Sequence, residues 1–362
     1  MKLDKKITVV FALPNLLPGG AERVMSYIAQ KIDRERFDTT LLVIGHAKDA
    51  SYDISGIKVV YLGKDSVSSG AISFYKFLRK TKPDLVISAI GHLNALTAVF
   101  TLIFRKIKFI AREVNVLSVL SSLDENYDKS IKSKLADKRF NFFDTIICQS
   151  QDMLDDLKNN YKIKDDRLVV INNPITDDFK VKKRLNKNNP IQFITVARFD
   201  KEKGHDRILE ALSMVDFDFH YTIIGRGKLH NEIFTKIEAY NLTKKVTHIP
   251  FTKKVGEFLT NADLYLQGSY TEGFPNSIIE SCMVGTPVLA YNAPGGINEI
   301  LNSKKNGVIV NTVEEFKNQL YDINERYDFN PIEVSKTVSN RYSSDIIVKK
   351  YENLFLSLID SK

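Results

Sequence analysis

The stretch at 271–290, TEGFPNSIIESCMVGTPVLA, decides the fold of this chain. An apolar run at 262–266 comes before it, and a second apolar run begins at Val288. Together they predict a buried strand, a loop, a helix, a turn and another strand. Glu272 falls in the loop, and Glu280 follows eight positions later in the helix. Strands that alternate with helices in this way form a parallel sheet with helices on its faces.

The residues around the two glutamates favour an anion-binding site. Pro275 suits the first helical turn, where a backbone N–H would have no helical partner. The free N–H groups of that turn and the helix dipole favour a negative ligand beyond the strand end. An exposed loop charge and a solvated helix residue would give the same spacing of Glu272 and Glu280. Gly273 and Pro275, directly after the first glutamate, favour the functional interpretation.

The same alternation extends along the chain and divides it into two halves. Strands are predicted at 7–12, 39–44, 59–62, 84–90, 109–111, 145–149 and 169–171, then at 192–196, 221–224, 246–249, 262–266, 288–290 and 307–310. The polar residues 176–190 predict a linker between a first domain at 1–175 and a second at 191–343, and an amphipathic helix lies within 344–362. A chain of 362 residues suits two domains of ordinary size. We therefore predict an α/β fold of two doubly wound, Rossmann-like domains that face a cleft.

The composition predicts a soluble cytoplasmic protein. Apolar residues make up 43% of the chain and charged residues 27%. No apolar run reaches the roughly 20 residues of a membrane span, and the short run at 7–13 is better explained as a first strand than as a signal peptide. Cys148 and Cys282 lie in apolar segments, which favours buried thiols over a disulfide. Nothing has metal-ligand spacing, so no metal or other cofactor is expected.

The net charge of +8 narrows the class of partner. A basic surface fits a phosphate-bearing ligand or an anionic membrane face. Nucleic acid is not expected, because the sequence has neither zinc-finger spacing nor alternating aromatic and basic residues. A generally basic, soluble surface would give the same net charge.

Candidate ligand residues follow several predicted strands. Gly19 and Gly20 follow the first strand and open a helix, a geometry in which backbone N–H groups can approach a phosphate. Arg198 and Lys203 follow the strand at 192–196, where a guanidinium fork and a point charge would grip a diphosphate. A tight turn and a solvated basic loop are the alternative interpretations of these two segments.

Two strand ends in the first half also carry polar side chains. They are His92 and Asn94 after the strand at 84–90, and Arg112, Glu113 and Asn115 after the strand at 109–111. In parallel sheets ligands bind at the carboxyl ends of the strands, which makes these positions candidates for substrate contacts. A lone histidine such as His92 more often has a purely structural role, and that interpretation stays open.

These motifs together resemble the retaining glycosyltransferases of family 4, of the type that builds bacterial surface polysaccharides. The resemblance covers nearly the whole chain, in the order that the family has. It rests on Gly19-Gly20-Ala21-Glu22-Arg23, Ala197-Arg198 with Lys203-Gly204, Gly225-Arg226-Gly227, the E-x7-E pair Glu272 and Glu280, and Gly295-Gly296 with Glu299 and Asn306-Gly307. The family has the GT-B architecture, in which a helix at the carboxyl terminus packs back on the first domain.

The resemblance implies roles for the residues of the second half. Arg198 and Lys203 would hold the diphosphate of a nucleotide-sugar donor, Glu272 would bind hydroxyls of the sugar, and these three would be the catalytic residues. Glu280 would accept hydrogen bonds from the ribose. The full set implied for donor binding is Gly19, Gly20, Arg198, Lys203, Arg226, Pro250, Phe251, Glu272, Gly273, Phe274, Pro275, Asn276 and Glu280.

The resemblance also implies that the first domain binds the acceptor. The acceptor-side candidates are His92, Asn94, Arg112, Glu113 and Asn115. The chain departs from many relatives at Val114, because a histidine often stands beside the position of Glu113. The implied reaction is metal-independent transfer of a sugar, from UDP by resemblance, to a hydroxyl of a glycan or lipid-linked acceptor with retention of configuration.

Two other functions stay open at this stage. A non-hydrolysing sugar-nucleotide epimerase shares the two-domain architecture, but it would need acid and base side chains around the sugar, and the sequence identifies none. A glycosyltransferase-like chaperone subunit would keep the fold without activity. Such a subunit would have little reason to retain Arg198, Lys203, Glu272 and Glu280 together.

Basic residues of the first half predict a peripheral membrane surface. Arg105, Lys106 and Lys108 lie beside an apolar helix, and a predicted helix at 130–142 adds further basic residues. Those residues are Lys132, Lys134, Lys138 and Arg139, and Lys129 lies just before the helix. An anionic bilayer would attract them, and a solvated basic helix is the alternative.

Overall fold

The computed structural model describes residues 5–123, 138–176, 179–183, 187–301 and 304–360. The chain forms two compact units. The amino-terminal unit contains Met1–Ser118, Asn126–Thr176 and Ser344–Lys362, and the carboxyl-terminal unit contains Val119–Glu125 and Asp177–Ser343.

The amino-terminal unit is built on a parallel sheet of seven strands. In chain order they are β1 (Ile7–Leu13), β2 (Phe37–Val43), β3 (Lys58–Tyr61), β4 (Leu85–Ala89), β5 (Lys108–Arg112), β6 (Thr145–Cys148) and β7 (Leu168–Val170). Their order in the sheet is β3-β2-β1-β4-β5-β6-β7, and every pair is parallel. The direction of winding therefore reverses between β1 and β4, and a ligand site is expected at such a reversal.

Helices cover this sheet and complete the unit. They are α1 (Gly20–Lys31), α2 (Val67–Thr81), α3 (Gly91–Ile103), α4 (Leu117–Leu123, which continues into the other unit), α5 (Gln151–Asn159) and, after the second unit, α13 (Ser344–Asp360). The ring of Phe355 on α13 packs edge-on against Phe11 and Phe37. The backbone N–H of Asp33 donates to the buried Glu352 carboxylate at 3.0 Å. Burial of its apolar face thus attaches the last helix to the first sheet.

The carboxyl-terminal unit contains a parallel sheet of six strands. They are β8 (Ile191–Val196), β9 (Phe219–Ile224), β10 (Val246–Ile249), β11 (Leu264–Gln267), β12 (Val288–Tyr291) and β13 (Gly307–Val310). The order β10-β9-β8-β11-β12-β13 reverses between β8 and β11. Its helices are α6 (His205–Ser213), α7 (His230–Ala239), α8 (Val255–Asn261), α9 (Asn276–Met283), α10 (Ile297–Ile300), α11 (Val313–Glu325) and α12 (Pro331–Tyr342).

The α/β fold of two doubly wound sheets that we predicted from the sequence is confirmed in each unit. Central strands such as β4, β11 and β12 are buried at every residue, which is why they appear in the sequence as largely apolar runs. The outer strands β3, β7 and β10 are only partly buried. Cys148 and Cys282 are buried free thiols. Burial raises the pKa of both thiols, so they are unreactive core residues at neutral pH.

Three local predictions need correction. Pro275 precedes α9 with an extended backbone, because its carbonyl group accepts the first hydrogen bonds of that helix. The helix predicted at 130–142 falls mostly outside the described residues, and its last part, Lys138–Phe142, is a 3₁₀ turn. Helix α5 was not predicted, although Ser150 gives a signal for it by accepting a hydrogen bond from the Met153 N–H as an N-cap.

Candidate active site

Two loops meet at the point where the second sheet reverses its winding. The loop after β8 carries Arg198 and Lys203, and the loop after β11 carries Glu272. Gly204 has a φ of +56°, and a Cβ on it would lie 1.9 Å from the carbonyl oxygen of Gly268. Only glycine permits both the left-handed backbone and this approach. The glycine after Lys203 therefore brings the two loops into contact.

Lys203 and Glu272 form an ion pair across these loops. The Lys203 Nζ lies 2.8 Å from each carboxylate oxygen. The side chains are only 16% and 10% exposed, so solvent screens the pair weakly. We assigned these side chains separately to the phosphate and the sugar of a donor. The structure places both groups at one point, where a positive and a negative group are held side by side.

The Glu272 carboxylate is fixed by further neighbours from the same segment. Its Oε1 accepts hydrogen bonds from Gln267 Nε2 at 2.9 Å and from Ser269 Oγ at 2.6 Å. Its backbone N–H donates to the Pro294 carbonyl at 2.9 Å. The carboxylate is thus oriented without a ligand, as preorganised electrostatic catalysis requires. Sequence reasoning missed Gln267 and Ser269, although polar residues at the end of an apolar strand were a usable signal.

Glu280 lies on α9 and is only 7% exposed. The solvated helix position, which the sequence left open, is therefore wrong. The start of α9 is fixed by Tyr265, whose hydroxyl contacts Ser277 Oγ at 2.8 Å and the Val196 carbonyl oxygen at 3.1 Å. Burial raises the pKa of Tyr265, which keeps this hydroxyl protonated. The helix that carries Glu280 is thereby tied to the end of β8.

The segment that joins the two glutamates is largely enclosed. Gly273, Phe274 and Pro275 are buried, and Asn276 is the partly exposed first residue of α9. The Phe274 ring packs edge-on against Tyr342 with 5.1 Å between centroids. Packing thus fixes the backbone of this segment, and the side chain of Phe274 belongs to the core.

Arg198 is the accessible cation of the site. Its side chain is 64% exposed and forms ion pairs with Asp200 at 2.7 Å and Glu202 at 3.0 Å. These carboxylates hold the guanidinium beside the end of β8. Exposed pairs of this kind contribute little free energy, so an anion of higher charge can replace them.

An aromatic ring and a guanidinium lie at the neighbouring strand ends. Arg226 follows β9, and Pro250 and Phe251 follow β10. All three are exposed, and the Arg226 guanidinium lies 6.0 Å from the centroid of the Phe251 ring. An exposed aromatic face beside a cation provides a surface on which a planar base can stack.

His205, the first residue of α6, supports the loop that carries Arg198. Its Nε2 lies 3.0 Å from the Arg198 carbonyl oxygen, and its Nδ1 has no hydrogen-bond partner among the described residues. Burial lowers the pKa of His205 to about 4. The imidazole is therefore neutral at pH 7 and donates its Nε2 proton to that carbonyl group.

This pKa makes the stability of the second unit sensitive to acid. Between about pH 6.5 and 4 the unfolded chain binds a proton at His205 that the folded chain does not. The free energy of unfolding should then fall by about 1.4 kcal/mol per pH unit on acidification, from this group alone. We expect His205→Gln, which keeps a side-chain N–H, to remove that dependence. Urea unfolding of both proteins at pH 7 and pH 5 measures it, and an identical loss in the two would contradict the assignment.

In the amino-terminal unit, three of the predicted acceptor-side residues are enclosed. Asn94 Nδ2 donates to the Glu113 carboxylate at 2.7 Å, and Asn94 Oδ1 accepts from Ser88 Oγ at 2.8 Å. The Arg112 guanidinium donates to the Tyr351 hydroxyl at 3.2 Å. Asn94, Arg112 and Glu113 are at most 1% exposed. Their side chains hold the strand ends of this unit, and an acceptor contact by any of them stays a prediction.

His92 and Asn115 are the more accessible members of that set. His92 is exposed on the first turn of α3, and Asn115 is partly exposed after β5. Burial raises the pKa of Glu113, the enclosed carboxyl between them in the chain. A direct acceptor contact by His92 or Asn115 stays a prediction.

The glycine pair at the start of α1 is also only partly available. The Gly19 N–H donates to the Tyr52 hydroxyl, which in turn donates to the Gly19 carbonyl oxygen at 2.7 Å. A Cβ on Gly19 would also collide with the Glu22 carboxylate. The amide of Gly19 is therefore used within the unit. Gly20 is exposed, and a phosphate contact by its backbone stays a prediction.

The described residues contain no cluster of three or more His, Cys, Asp or Glu side chains that could hold a metal ion. The expectation that no residues have metal-ligand spacing is wrong at one place, because the sequence contains a D-x-D triplet, Asp216-Phe217-Asp218. It lies just before β9 and therefore at the amino edge of the sheet. Asp216 accepts a hydrogen bond from the Tyr321 hydroxyl at 2.8 Å. The triplet thus lies at the amino edge of the sheet, whereas Glu272 lies at the carboxyl edge. Its Asp216 is used in the contact with Tyr321.

Two family models match consecutive parts of the chain. The model described as Glycosyltransferase Family 4 matches residues 18–179. The model described as Glycosyl transferases group 1 matches residues 176–327. The chain belongs to the glycosyltransferases with the GT-B fold. The second match includes Arg198, Lys203, Glu272 and Glu280, and the first includes the glycine pair.

Two relatives of similar length are named for the sugar that they transfer or the product that they help to build. One is the N-acetylgalactosamine-N,N'-diacetylbacillosaminyl-diphospho-undecaprenol 4-alpha-N-acetylgalactosaminyltransferase of Campylobacter jejuni, 23% identical over 82% of this chain and 84% of that relative. Another is the amylovoran biosynthesis glycosyltransferase AmsD of Erwinia amylovora, 22% identical over 93% of this chain and 95% of the relative.

Solved structures share the whole fold. HepE from Anabaena, in complex with UDP and glucose, superposes with a TM-score of 0.79 at 17% identity, covering 97% of this chain and 100% of that one. The apo form of the lipopolysaccharide outer core galactosyltransferase WaaB superposes with a TM-score of 0.75 at 15% identity, covering 97% and 99%. At these identities the likeness establishes the fold.

Proposed function

We propose that this glycosyltransferase moves a sugar from a UDP-sugar to a hydroxyl of a glycan or lipid-linked acceptor, with retention of configuration and without a metal ion. The observation that carries the proposal is the meeting of Lys203 and Glu272 at the reversal point of the second sheet, 2.8 Å apart and largely buried. The relatives in polysaccharide assembly and the UDP complex of HepE support the choice of donor and acceptor class.

We assign a part of the chemistry to each residue. The leaving nucleoside diphosphate carries negative charge, so the transition state gains from Arg198, Lys203 and the N-terminus of α9. Glu272 accepts hydrogen bonds from sugar hydroxyls while the ring becomes oxocarbenium-like. An oxygen of the departing phosphate takes the proton of the acceptor hydroxyl on the same face of the sugar, which gives retention. The exposed Phe251 and the buried Glu280 bind the base and the ribose.

Product analysis separates this proposal from the two alternatives. Pure protein is incubated with UDP-glucose, UDP-galactose and their 2-acetamido counterparts, with EDTA present. A transferase releases UDP slowly by hydrolysis, an epimerase returns an epimeric UDP-sugar, and an inactive chaperone subunit gives neither. Thermal shifts with UDP, GDP and ADP identify the nucleotide. UDP release that requires added magnesium would contradict the metal-free mechanism. A thermal shift with GDP and not with UDP would mean that the donor is a GDP-sugar.

We further propose that this enzyme works at an anionic membrane surface. None of the helices in the described part of the chain is long and apolar enough to cross a bilayer. At the end of α3, Leu102 and Ile103 are each more than half exposed. The exposed Arg105 and Lys106 follow them, and the exposed Phe142 borders the same surface. Apolar side chains beside basic ones suit the interface of an anionic bilayer.

The membrane proposal therefore rests on this surface, formed by Leu102, Ile103, Arg105, Lys106 and Phe142, and not on the helix predicted at 130–142. Lys129, Lys132 and Lys134 lie outside the described residues, and Lys138 lies in the short 3₁₀ turn.

Charge reversal tests this surface in a vesicle assay. Arg105→Glu with Lys106→Glu should reduce co-sedimentation with anionic vesicles at low salt, since each basic residue contributes about 1 kcal/mol near such a surface. The matched control is Arg79→Glu with Lys80→Glu, which changes the same charge at the exposed end of α2. Equal sedimentation of the two variants would remove the α3 surface from the proposal and favour a soluble acceptor.

A further inference from the structure

A second arginine of the carboxyl-terminal unit lies behind the proposed site. Arg207 is the third residue of α6, and its guanidinium lies between the rings of Tyr270 and Tyr291, 4.1 Å from each centroid. The Tyr291 hydroxyl donates to the Arg207 carbonyl oxygen at 3.1 Å. Tyr270 lies two residues before Glu272, and Tyr291 is the last residue of β12. The guanidinium is therefore held between two strand ends.

The guanidinium binds the backbone that leads to Glu272. Its Nε donates to the carbonyl oxygen of Gly268 and its Nη2 donates to that of Ser269. These two residues directly follow β11, where the ladder no longer provides partners for their carbonyl groups. The hydroxyl of the same Ser269 donates to the Glu272 carboxylate. A continuous set of contacts thus connects Arg207 to the proposed catalytic carboxylate through one serine.

We propose that Arg207 is a positioning residue for sugar transfer, which fixes the loop at 268–272 so that Glu272 meets the donor sugar in one orientation. This inference rests on the proposed function. Arg207 does not touch the donor; it acts through Gly268 and Ser269. Position 207 requires arginine for its geometry, because a planar guanidinium can bind two adjacent carbonyl groups and stack between two rings at once. A lysine ammonium keeps the charge but cannot make this fork.

Loss of the Arg207 contacts should affect the rate of the reaction and not the binding of UDP. Glu280 lies on α9, whose start is fixed by Tyr265 and not by Arg207. Loss of the fork should therefore leave the affinity for UDP unchanged while it slows the reaction of the sugar. A displacement of about 1 Å at a catalytic group costs up to about 100-fold in rate.

The test is Arg207→Lys, compared with wild type. We expect the rate of UDP-sugar hydrolysis to fall by about 10- to 100-fold, whereas the dissociation constant of UDP, measured by calorimetry, stays within about twofold of wild type. Hydrogen exchange should increase in the peptide at 268–273 and nowhere else in the described part of the unit. Tyr270→Leu, which removes one ring from the partly exposed side of the guanidinium, should give a smaller change of the same kind.

The control is Arg34→Lys, which changes an arginine that also binds a backbone carbonyl, that of Ala29, in the other unit. It should change thermal stability without changing hydrolysis. Unchanged exchange at 268–273 in Arg207→Lys would overturn the inference, as would increased exchange with wild-type hydrolysis. Equal losses of UDP affinity and of hydrolysis rate in Arg207→Lys would mean that Arg207 has only a structural role, which would also overturn the inference. If wild type neither binds UDP nor hydrolyses a UDP-sugar, the proposed function fails instead.

Discussion

Lys203→Ala should lower donor turnover by about 10²- to 10³-fold, the range for one preorganised electrostatic donor. The ammonium is the largely buried cation of the site, and its charge faces the position of the leaving diphosphate in our proposal. Arg198 cannot compensate, because its side chain is 64% exposed and solvent screens its charge. Initial rates of UDP release from a UDP-sugar measure the effect.

The control for this variant is Lys201→Ala. Lys201 lies in the same 3₁₀ turn and is exposed, so its loss should change the rate less than about threefold by the same electrostatic argument. Removing Lys203 also leaves Glu272 without its cation in a poorly screened place, and this lowers stability. The double variant Lys203→Ala with Glu272→Gln should regain stability but no activity. Rates of Lys203→Ala within threefold of wild type would refute the diphosphate role.

Alanine substitutions of the two glutamates of the E-x7-E pair should affect different quantities, UDP binding for Glu280 and turnover for Glu272. Glu280→Ala should weaken UDP binding by about 1.5–3 kcal/mol, the value of hydrogen bonds to a charged group, because ribose contacts are similar in the ground and transition states. Glu272→Ala should mainly reduce turnover, because contacts with the sugar bear on the reacting ring. Calorimetry with UDP and hydrolysis rates with a UDP-sugar separate the two effects.

An exposed glutamate provides the comparison. Glu257 on α8 pairs with Lys254 at the surface, and Glu257→Ala should change neither quantity. If Glu272→Ala loses as much UDP affinity as Glu280→Ala, the two roles have been assigned to the wrong residues. Because Glu272 pairs with Lys203, an equal loss of UDP affinity would mean that Glu272 acts by holding Lys203 in place and not by binding the sugar.

The periodicity of the sequence was sufficient for the fold. Parallel strands covered on both faces must be apolar throughout, which is why the fully buried β12 could be predicted from Val288 onward. β10 and β13, at the two edges of the sheet and only partly buried, were also predicted with the bounds that the structure gives them. The ends of helices were less accessible to prediction. Pro275 fits a first helical turn by its missing N–H, but its backbone is extended and its carbonyl group accepts the first hydrogen bonds of α9, so it precedes the helix.

The sequence by itself determined which residues follow each strand, and hence that Arg198, Lys203 and Glu272 lie at the carboxyl edge of one sheet. Only the tertiary structure decided which of them meet. Lys203 and Glu272 are 69 positions apart, and they form a pair because the strand order places β8 beside β11. It also decided that Asn94, Arg112 and Glu113 are enclosed. A pattern of apolar residues specifies the faces of a strand, whereas neighbours across a sheet depend on the packing of all its helices.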